Sequence, residues 1–323
     1  MAALAATVLA AAGLAACGSG DGPSGPNARP VTLLLDFTPN PVHAGIYAAT
    51  ANGYDRDAGV ALRIREPSAS TDALRLLAAG KADLAVLDIH DLGLARQKGR
   101  DIVGVMALVQ RPLAAVLADP SVGTPRALEG RRAGVTGLPS DDAVLRSVVT
   151  GAGGDPKRVD TVTIGFNAVA SLLTGRVAGA TAFWNVEGVA LRAKRPGIRI
   201  FKVNDYGAPA YPELVVCATR ATLRSRPALV RRTLAALAAG YRFAIRRPGA
   251  ALGDLLAASP GLDRALSARE LAAVRPVWAA GGRFGRLDLA TLRAWSAWDV
   301  RFGILARPVD VRRAFAGPFV GGR

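Results

Sequence analysis

Cysteine, histidine and lysine are scarce in this chain of 323 residues. Its two cysteines are Cys17 and Cys217, and its two histidines are His43 and His90. A zinc centre normally takes three or four closely arranged nitrogen and sulfur ligands, so no metal site is expected. Lysine occurs at five positions (Lys81, Lys98, Lys157, Lys194 and Lys202), so the formal charge of +16 rests on arginines scattered along the whole chain. No zinc-knuckle spacing, aromatic RNA-binding run or basic arm accompanies them, and nucleic acid is not expected as a partner. An Arg- and Ala-heavy composition is more often a codon-usage bias than a function. The length allows two domains, each able to bury its own core.

Charge is missing altogether from residues 1–16, which are nearly all Ala, Leu, Val and Gly. The stretch is shorter than the roughly 20 apolar residues that a spanning helix needs. It ends in Leu14-Ala15-Ala16-Cys17 and passes into a polar run, Gly18 to Asn27. An apolar core, small residues and then a cysteine resemble a bacterial lipoprotein signal that lacks the usual basic start. The reading is therefore a signal over 1–16, lipidation at Cys17 and a flexible tether over 17–30, with the folded body on the outer face of the membrane. Lipidation would leave Cys217 as the sole thiol, with no disulfide, and Val215 and Val216 place it in an apolar strand.

From Val31 short β-like runs alternate with Ala/Leu-rich helical stretches: strands over Val31–Leu35, Val60–Ile64, Ala82–Leu87, Ile102–Leu108 and Leu113–Ala118, helices over His43–Ala51, Asp72–Ala79 and Asp88–Lys98. The rhythm resumes at Arg132 and predicts an α/β fold with largely parallel sheets. A weak internal echo runs through it. Leu77-Ala78-Ala79-Gly80-Lys81-Ala82-Asp83 resembles Leu172-Leu173-Thr174-Gly175-Arg176-Val177-Ala178. Each copy ends a helix, turns on glycine and starts a strand. Beyond the strands lie Asp88, His90 and Asp91 in one copy and Trp184, Asn185 and Glu187 in the other. Ligands of open α/β sheets sit beyond the carboxyl ends of strands, so two such sets could face one another across a cleft. The last hundred residues read as helical, with Arg231, Arg232, Arg242, Arg246 and Arg247 around the apolar face of Pro227–Arg247. That basic cluster reads first as a solvated helix surface. Trp295 and Trp298, three apart, read as core packing.

Leu35-Asp36-Phe37-Thr38-Pro39-Asn40-Pro41-Val42-His43-Ala44-Gly45-Ile46-Tyr47 resembles the opening of the solute-binding proteins of the thiamine-pyrimidine group, the NMT1/THI5-like family, within a wider set that includes sulfonate and nitrate binders. Gly53-Tyr54, Gly59-Val60, Ala79-Gly80-Lys81-Ala82-Asp83, Phe183-Trp184-Asn185-Val186-Glu187-Gly188 and Asp205-Tyr206-Gly207-Ala208-Pro209 continue the likeness, which covers Val31 to Tyr241. The resemblance implies a periplasmic-binding-protein type II fold: two α/β lobes joined by two crossing strands, with a ligand cleft between them. Lobe 1 would be 31–112 with 216–323 and lobe 2 would be 113–215. It further implies a monomer that delivers a small molecule to an ABC permease with its ATPase.

An aminopyrimidine offers a flat π face and an exocyclic amine, so its cleft needs an aromatic platform and a carboxylate. The resemblance assigns these to Trp184 and Glu187, with Asp36, Phe37 and Asn40 in the opening motif and Asp88, His90, Tyr206 and Tyr211 as further candidates. For Asp36 a turn acceptor stands beside binding; for His90, a core histidine; for His43, the opening of a helix. The loop Thr136-Gly137-Leu138-Pro139-Ser140-Asp141-Asp142 enters a helix whose start could hold a carbonyl, with Ser140 as cap, whereas Asp141 and Asp142 disfavour an anion. A pyrimidine-synthesising enzyme of yeast shares this fold and uses a lysine for pyridoxal phosphate. At the matching position this chain has Val86, and Cys217 stands where that enzyme has a cysteine cluster. A Schiff base needs an amine, so no cofactor and no catalysis are expected. Riboflavin and aliphatic sulfonates remain as other ligands of the same fold.

Overall fold

Runs of four to six residues form the strands, the inner ones rich in Val, Leu and Ala, and the Ala/Leu stretches between them form helices. The computed structural model describes residues 28–320 apart from Ser70 and Gly281. The expected signal and Cys17 lie outside the described residues. Four strands come first: β1 (Arg29–Leu34), β2 (Val60–Arg65), β3 (Leu84–Asp88) and β4 (Ile102–Ala107). Five follow: β5 (Ala114–Ala118), β6 (Arg132–Val135), β7 (Asp160–Thr163), β8 (Gly179–Phe183) and β9 (Arg199–Lys202). The last, β10 (Leu214–Thr219), returns to the first group.

Two five-stranded sheets result, in the orders β2-β1-β3-β10-β4 and β7-β6-β8-β5-β9. β1 is parallel to β2 and β3, and β6 to β7 and β8. β10 is antiparallel to β3 and β4, and β5 to β8 and β9. The sheets are thus mixed, where the strand–helix alternation predicts largely parallel ones. The chain passes from one sheet to the other twice, after β4 and before β10, and each entering strand runs against its neighbours. β4 and β5 are buried at every residue; β4 ends its sheet, and the segment at Phe315 covers its outer edge through a bridge to Gly104. This is the two-lobed architecture of the periplasmic-binding-protein type II fold.

The loop after β1 is held from behind. A helix at Ala44–Ala51 packs on the long helix Pro227–Arg246, and glycine stands on both sides of the contact. A Cβ on Gly45 would run into the ring of Tyr241, and one on Gly240 into the carbonyl of Gly45. Tyr241 donates its hydroxyl to the Val42 carbonyl at 2.8 Å and stacks on Phe284 with centroids 4.3 Å apart. Arg231, Arg232, Arg242, Arg246 and Arg247 are exposed, as a solvated face requires. Trp295 and Trp298 are buried core residues of the helix Leu289–Arg301. No helix among the described residues is long and apolar enough to cross a membrane.

Candidate functional site

A hollow, part of it open to solvent, lies between the two sheets. Its walls come from the segments just beyond the carboxyl ends of the parallel strands. Asp36 and Phe37 follow β1, Asp88 and His90 end and follow β3, Thr136 and Asp141 follow β6, Phe166 follows β7, and Glu187 follows β8. Glu213, immediately before β10, forms part of the floor. The two sets joined by the internal echo therefore do meet: Asp88 and His90 from one copy, Glu187 from the other.

Asp36 is fixed by its neighbours. His43 Nδ1 accepts the backbone N–H of Asn40 at 3.3 Å, so the ring proton sits on Nε2 and is donated to Asp36 Oδ1 at 2.9 Å. Asn40 caps the 3₁₀ turn Pro41–His43, its Oδ1 accepting from Val42 N–H and its Nδ2 donating to the Thr38 carbonyl. Asn40 and His43 thus stand behind the wall and hold Asp36, rather than lining the hollow themselves. Phe37 meets Phe166 edge to face, centroids 4.5 Å apart at 78°, which links the two halves across the opening.

Trp184 lies elsewhere. Its indole N–H donates to the Pro112 carbonyl at 3.0 Å and Lys202 Nζ covers its ring at 3.9 Å, in a separate shallow surface hollow. Successive side chains of an extended segment point to opposite sides, and here Phe183 takes the inner side and Trp184 the outer. Tyr206 packs on Phe201, and Tyr211 is fully buried behind His90, ring centroids 4.9 Å apart; neither lines the hollow. Ser140 does not cap its helix, because Pro139–Gly151 begins one residue earlier with Leu138 at the cap. Ser140 forms part of the wall instead.

The lining holds six carboxyl groups, Asp36, Asp88, Asp91, Asp141, Glu187 and Glu213, and no lysine or arginine. Glu187 Oε2 accepts the Phe183 N–H at 3.3 Å, yet burial pushes its carboxyl up to about 7. Burial also raises Asp141 to about 6, against the N–H and hydroxyl that Thr136 donates to it. Asp91 is carried to about 7 by burial, reinforced by Asp141.

At the floor, Glu213 Oε2 accepts the N–H groups of Leu113 and Ala114 at 2.6 and 2.9 Å. One carboxylate thereby ties the start of β5 to the segment entering β10. His90 is enclosed by Asp88, Glu213 and Asp299. Burial pulls the imidazole down, but Asp299, Asp88 and Glu213 outweigh it and hold it at about 10. Nδ1 has two neighbours, Asp299 Oδ1 at 2.7 Å in a bent contact and the indole N–H of Trp295 at 3.0 Å. A protonated nitrogen cannot also accept from the indole. The carboxylate is the stronger partner, so Nδ1 carries the proton and Trp295 packs against it.

Sequence reasoning missed Phe166 and Glu213. An aromatic in the turn Gly165-Phe166-Asn167 and a lone glutamate opening the apolar run Leu214–Ala218 were the available signals. Val86 lines the hollow where a cofactor lysine would stand, and Cys217 is buried with its thiol pushed well up by desolvation. The residues present do not fit pyridoxal phosphate as a Schiff-base cofactor.

The chain is 34% identical over 229 residues to the formylaminopyrimidine-binding protein of Halalkalibacterium halodurans, covering 70% of this chain and 69% of that one. It is 27% identical over 315 residues to the riboflavin-binding protein RibY of Chloroflexus aurantiacus, covering 92% and 89%. A 4-amino-5-hydroxymethyl-2-methylpyrimidine phosphate synthase of Saccharomyces cerevisiae, THI12, is 25% identical over 254 residues, 74% of each chain. The fold matches the alkanesulfonate-binding protein SsuA from Xanthomonas axonopodis pv. citri with a TM-score of 0.73 at 17% identity, over 90% of this chain and 99% of that one. The NMT1/THI5-like profile matches residues 40–251, and the chain belongs to that family.

Proposed function

We propose that this protein is the solute-binding subunit of an ABC importer and that its ligand is a thiamine-precursor aminopyrimidine of the formylaminopyrimidine or hydroxymethylpyrimidine type. The observation that carries the reading is the lining of the hollow, rich in carboxyl groups and without lysine or arginine, with Phe37 and Phe166 at its mouth. Buried carboxyl groups with no lysine or arginine among them suit a ligand that brings N–H donors or a protonated ring nitrogen. They repel a sulfonate, whose headgroup would enter a field of its own sign. The formylaminopyrimidine-binding relative supports the same class.

In this reading Glu187 and Asp36 take the amine hydrogens and Phe37 supplies the aromatic face. Asp88 and His90 contact the inner end of the ligand. Lobes 31–112 with 216–323 and 113–215 close over it, with the passages at Leu113 and Glu213 as hinge. Cys17 carries the lipid, and the monomer works on the extracytoplasmic face, handing its ligand to the permease and ATPase. The protein binds and does not turn over, because the pocket has no amine to hold an aldehyde cofactor and no accessible thiol.

Riboflavin is the second reading, favoured by the relative that aligns along nearly the whole chain. Thermal unfolding against formylaminopyrimidine, hydroxymethylpyrimidine, thiamine, riboflavin and taurine separates the two. A ligand at 100 times its Kd adds about 2.7 kcal/mol, several degrees in Tm for a chain of this size. A shift with the aminopyrimidines alone supports the first reading, and a shift with riboflavin alone replaces it with the second.

A further inference from the structure

The floor of the hollow has the makings of a metal site. Asp88, His90 and Glu213 each offer one donor atom, and the three atoms lie within 4.8 Å of one another. Two of these side chains are fully buried and carry unpartnered atoms. His90 Nε2 and Glu213 Oε1 have no hydrogen-bond partner among the described residues and face each other at 3.8 Å. A buried polar atom left without a partner is expensive and calls for an explanation.

The imidazole is oriented for coordination. Asp299 Oδ1 stands 2.7 Å from Nδ1, so the proton on that nitrogen leaves the Nε2 lone pair aimed at Glu213 and the hollow. A carboxylate behind a histidine that presents its other nitrogen is the usual outer support of a metal-bound imidazole. Glu213 is held in the same way, by the two N–H groups on Oε2 that leave Oε1 free. Asp88 Oδ1 accepts the His90 N–H at 2.7 Å, which fixes its carboxyl at the head of the helix Ile89–Gln97.

Charge points the same way. Three carboxyl groups, Asp88, Glu213 and Asp299, surround the imidazole, and no lysine or arginine lines the hollow beside them. A divalent cation supplies positive charge at that point.

We infer that Asp88, His90 and Glu213 bind a first-row divalent cation of the zinc type. One nitrogen and two oxygens suit such an ion. Its ligand bonds of about 2.0–2.2 Å put tetrahedral donors about 3.4 Å apart, so donors that now lie within 4.8 Å of one another draw together on binding. Its remaining positions would open on the hollow. The inference does not depend on which organic ligand the hollow accepts.

The chain's two histidines make a direct test possible. Side-chain 15N spectra of the untagged protein would be recorded at pH 7 after chelator treatment and again with one equivalent of ZnCl2. The expected result is that the Nε2 resonance of His90 shifts on adding zinc, while His43 does not move. Co2+ would give visible absorption bands saturating at one equivalent, and His90→Gln and Glu213→Gln would each weaken that binding at least 100-fold while unfolding cooperatively. An unchanged His90 resonance at a tenfold excess of Zn2+ would overturn the inference, leaving proton sharing as the state of the cluster. A Co2+ affinity unchanged from wild type in either variant would overturn it too. Aminopyrimidine titration of the chelated protein keeps the two proposals separate, since ligand binding there with no metal response refutes only the metal site.

Discussion

His43 Nε2 lies 2.9 Å from Asp36 Oδ1, and His43 Nδ1 is occupied by the Asn40 N–H. The second contact fixes the tautomer, so the first is a donation from histidine to carboxylate. A side chain behind the wall thereby sets the direction of one that lines the hollow. His43→Ala is expected to weaken aminopyrimidine binding about tenfold, within the range for losing a hydrogen bond to a charged group. Calorimetric titration checks this, and an affinity within twofold of wild type would mean that Asp36 needs no support.

Glu187→Gln replaces the carboxylate by an amide of the same shape. Binding should weaken by about 1–3 kcal/mol, as a charge-assisted bond becomes a neutral one. The same titration applies, and an unchanged Kd would remove Glu187 from the ligand.

The raised carboxyls give a pH signature. Glu187 and Asp91 stand at about 7 and Asp141 at about 6, all above their ordinary values. In the range from about pH 4 to 7 the unfolded chain therefore binds fewer protons than the folded one, and unliganded stability falls as pH rises. Ligand affinity moves oppositely, because an amine donor requires the ionised form. From pH 5.5 to 8 it should rise about thirtyfold, as a carboxyl at about 7 goes from about 3% to about 90% ionised, and the rise should shrink in Glu187→Gln. Denaturant melts and titrations across that range report both slopes. A flat affinity in the wild type contradicts the ionised-carboxylate contact.

Aromatic contacts discriminate between two parts of the fold. Phe37 lines the hollow, whereas Trp184 is bonded to Pro112 and covered by Lys202 outside it. Phe37→Ala should cost at least tenfold in affinity and Trp184→Phe less than threefold. The reverse order would place the platform on Trp184.

Gly240→Ala tests the support of the site from behind. The added methyl meets the Gly45 carbonyl and the Ala49 side chain across the helix contact. Overpacking of this kind typically costs 1–3 kcal/mol, which a thermal melt reads as a fall of several degrees.

The order of the elements, and the meeting of Asp88 and His90 with Glu187, were legible because strand–turn–helix punctuation repeats in both halves of the chain. The antiparallel strands were not, since nothing local in Leu214–Thr219 tells which way it enters a sheet. Side-chain direction was equally hidden. Phe183 and Trp184 are adjacent in sequence, and only packing decides which of them faces inward. Glu213 escaped notice because its role is to accept backbone N–H groups from Leu113 and Ala114, a hundred residues away.

The central claim is that the hollow binds an aminopyrimidine, and calorimetric titration of the purified protein with formylaminopyrimidine tests it most directly. The account predicts one site, an affinity that tightens as pH rises from 5.5 to 8, and no heat with taurine. Absence of binding to formylaminopyrimidine and hydroxymethylpyrimidine across that pH range, with saturable binding of riboflavin or taurine, would contradict it.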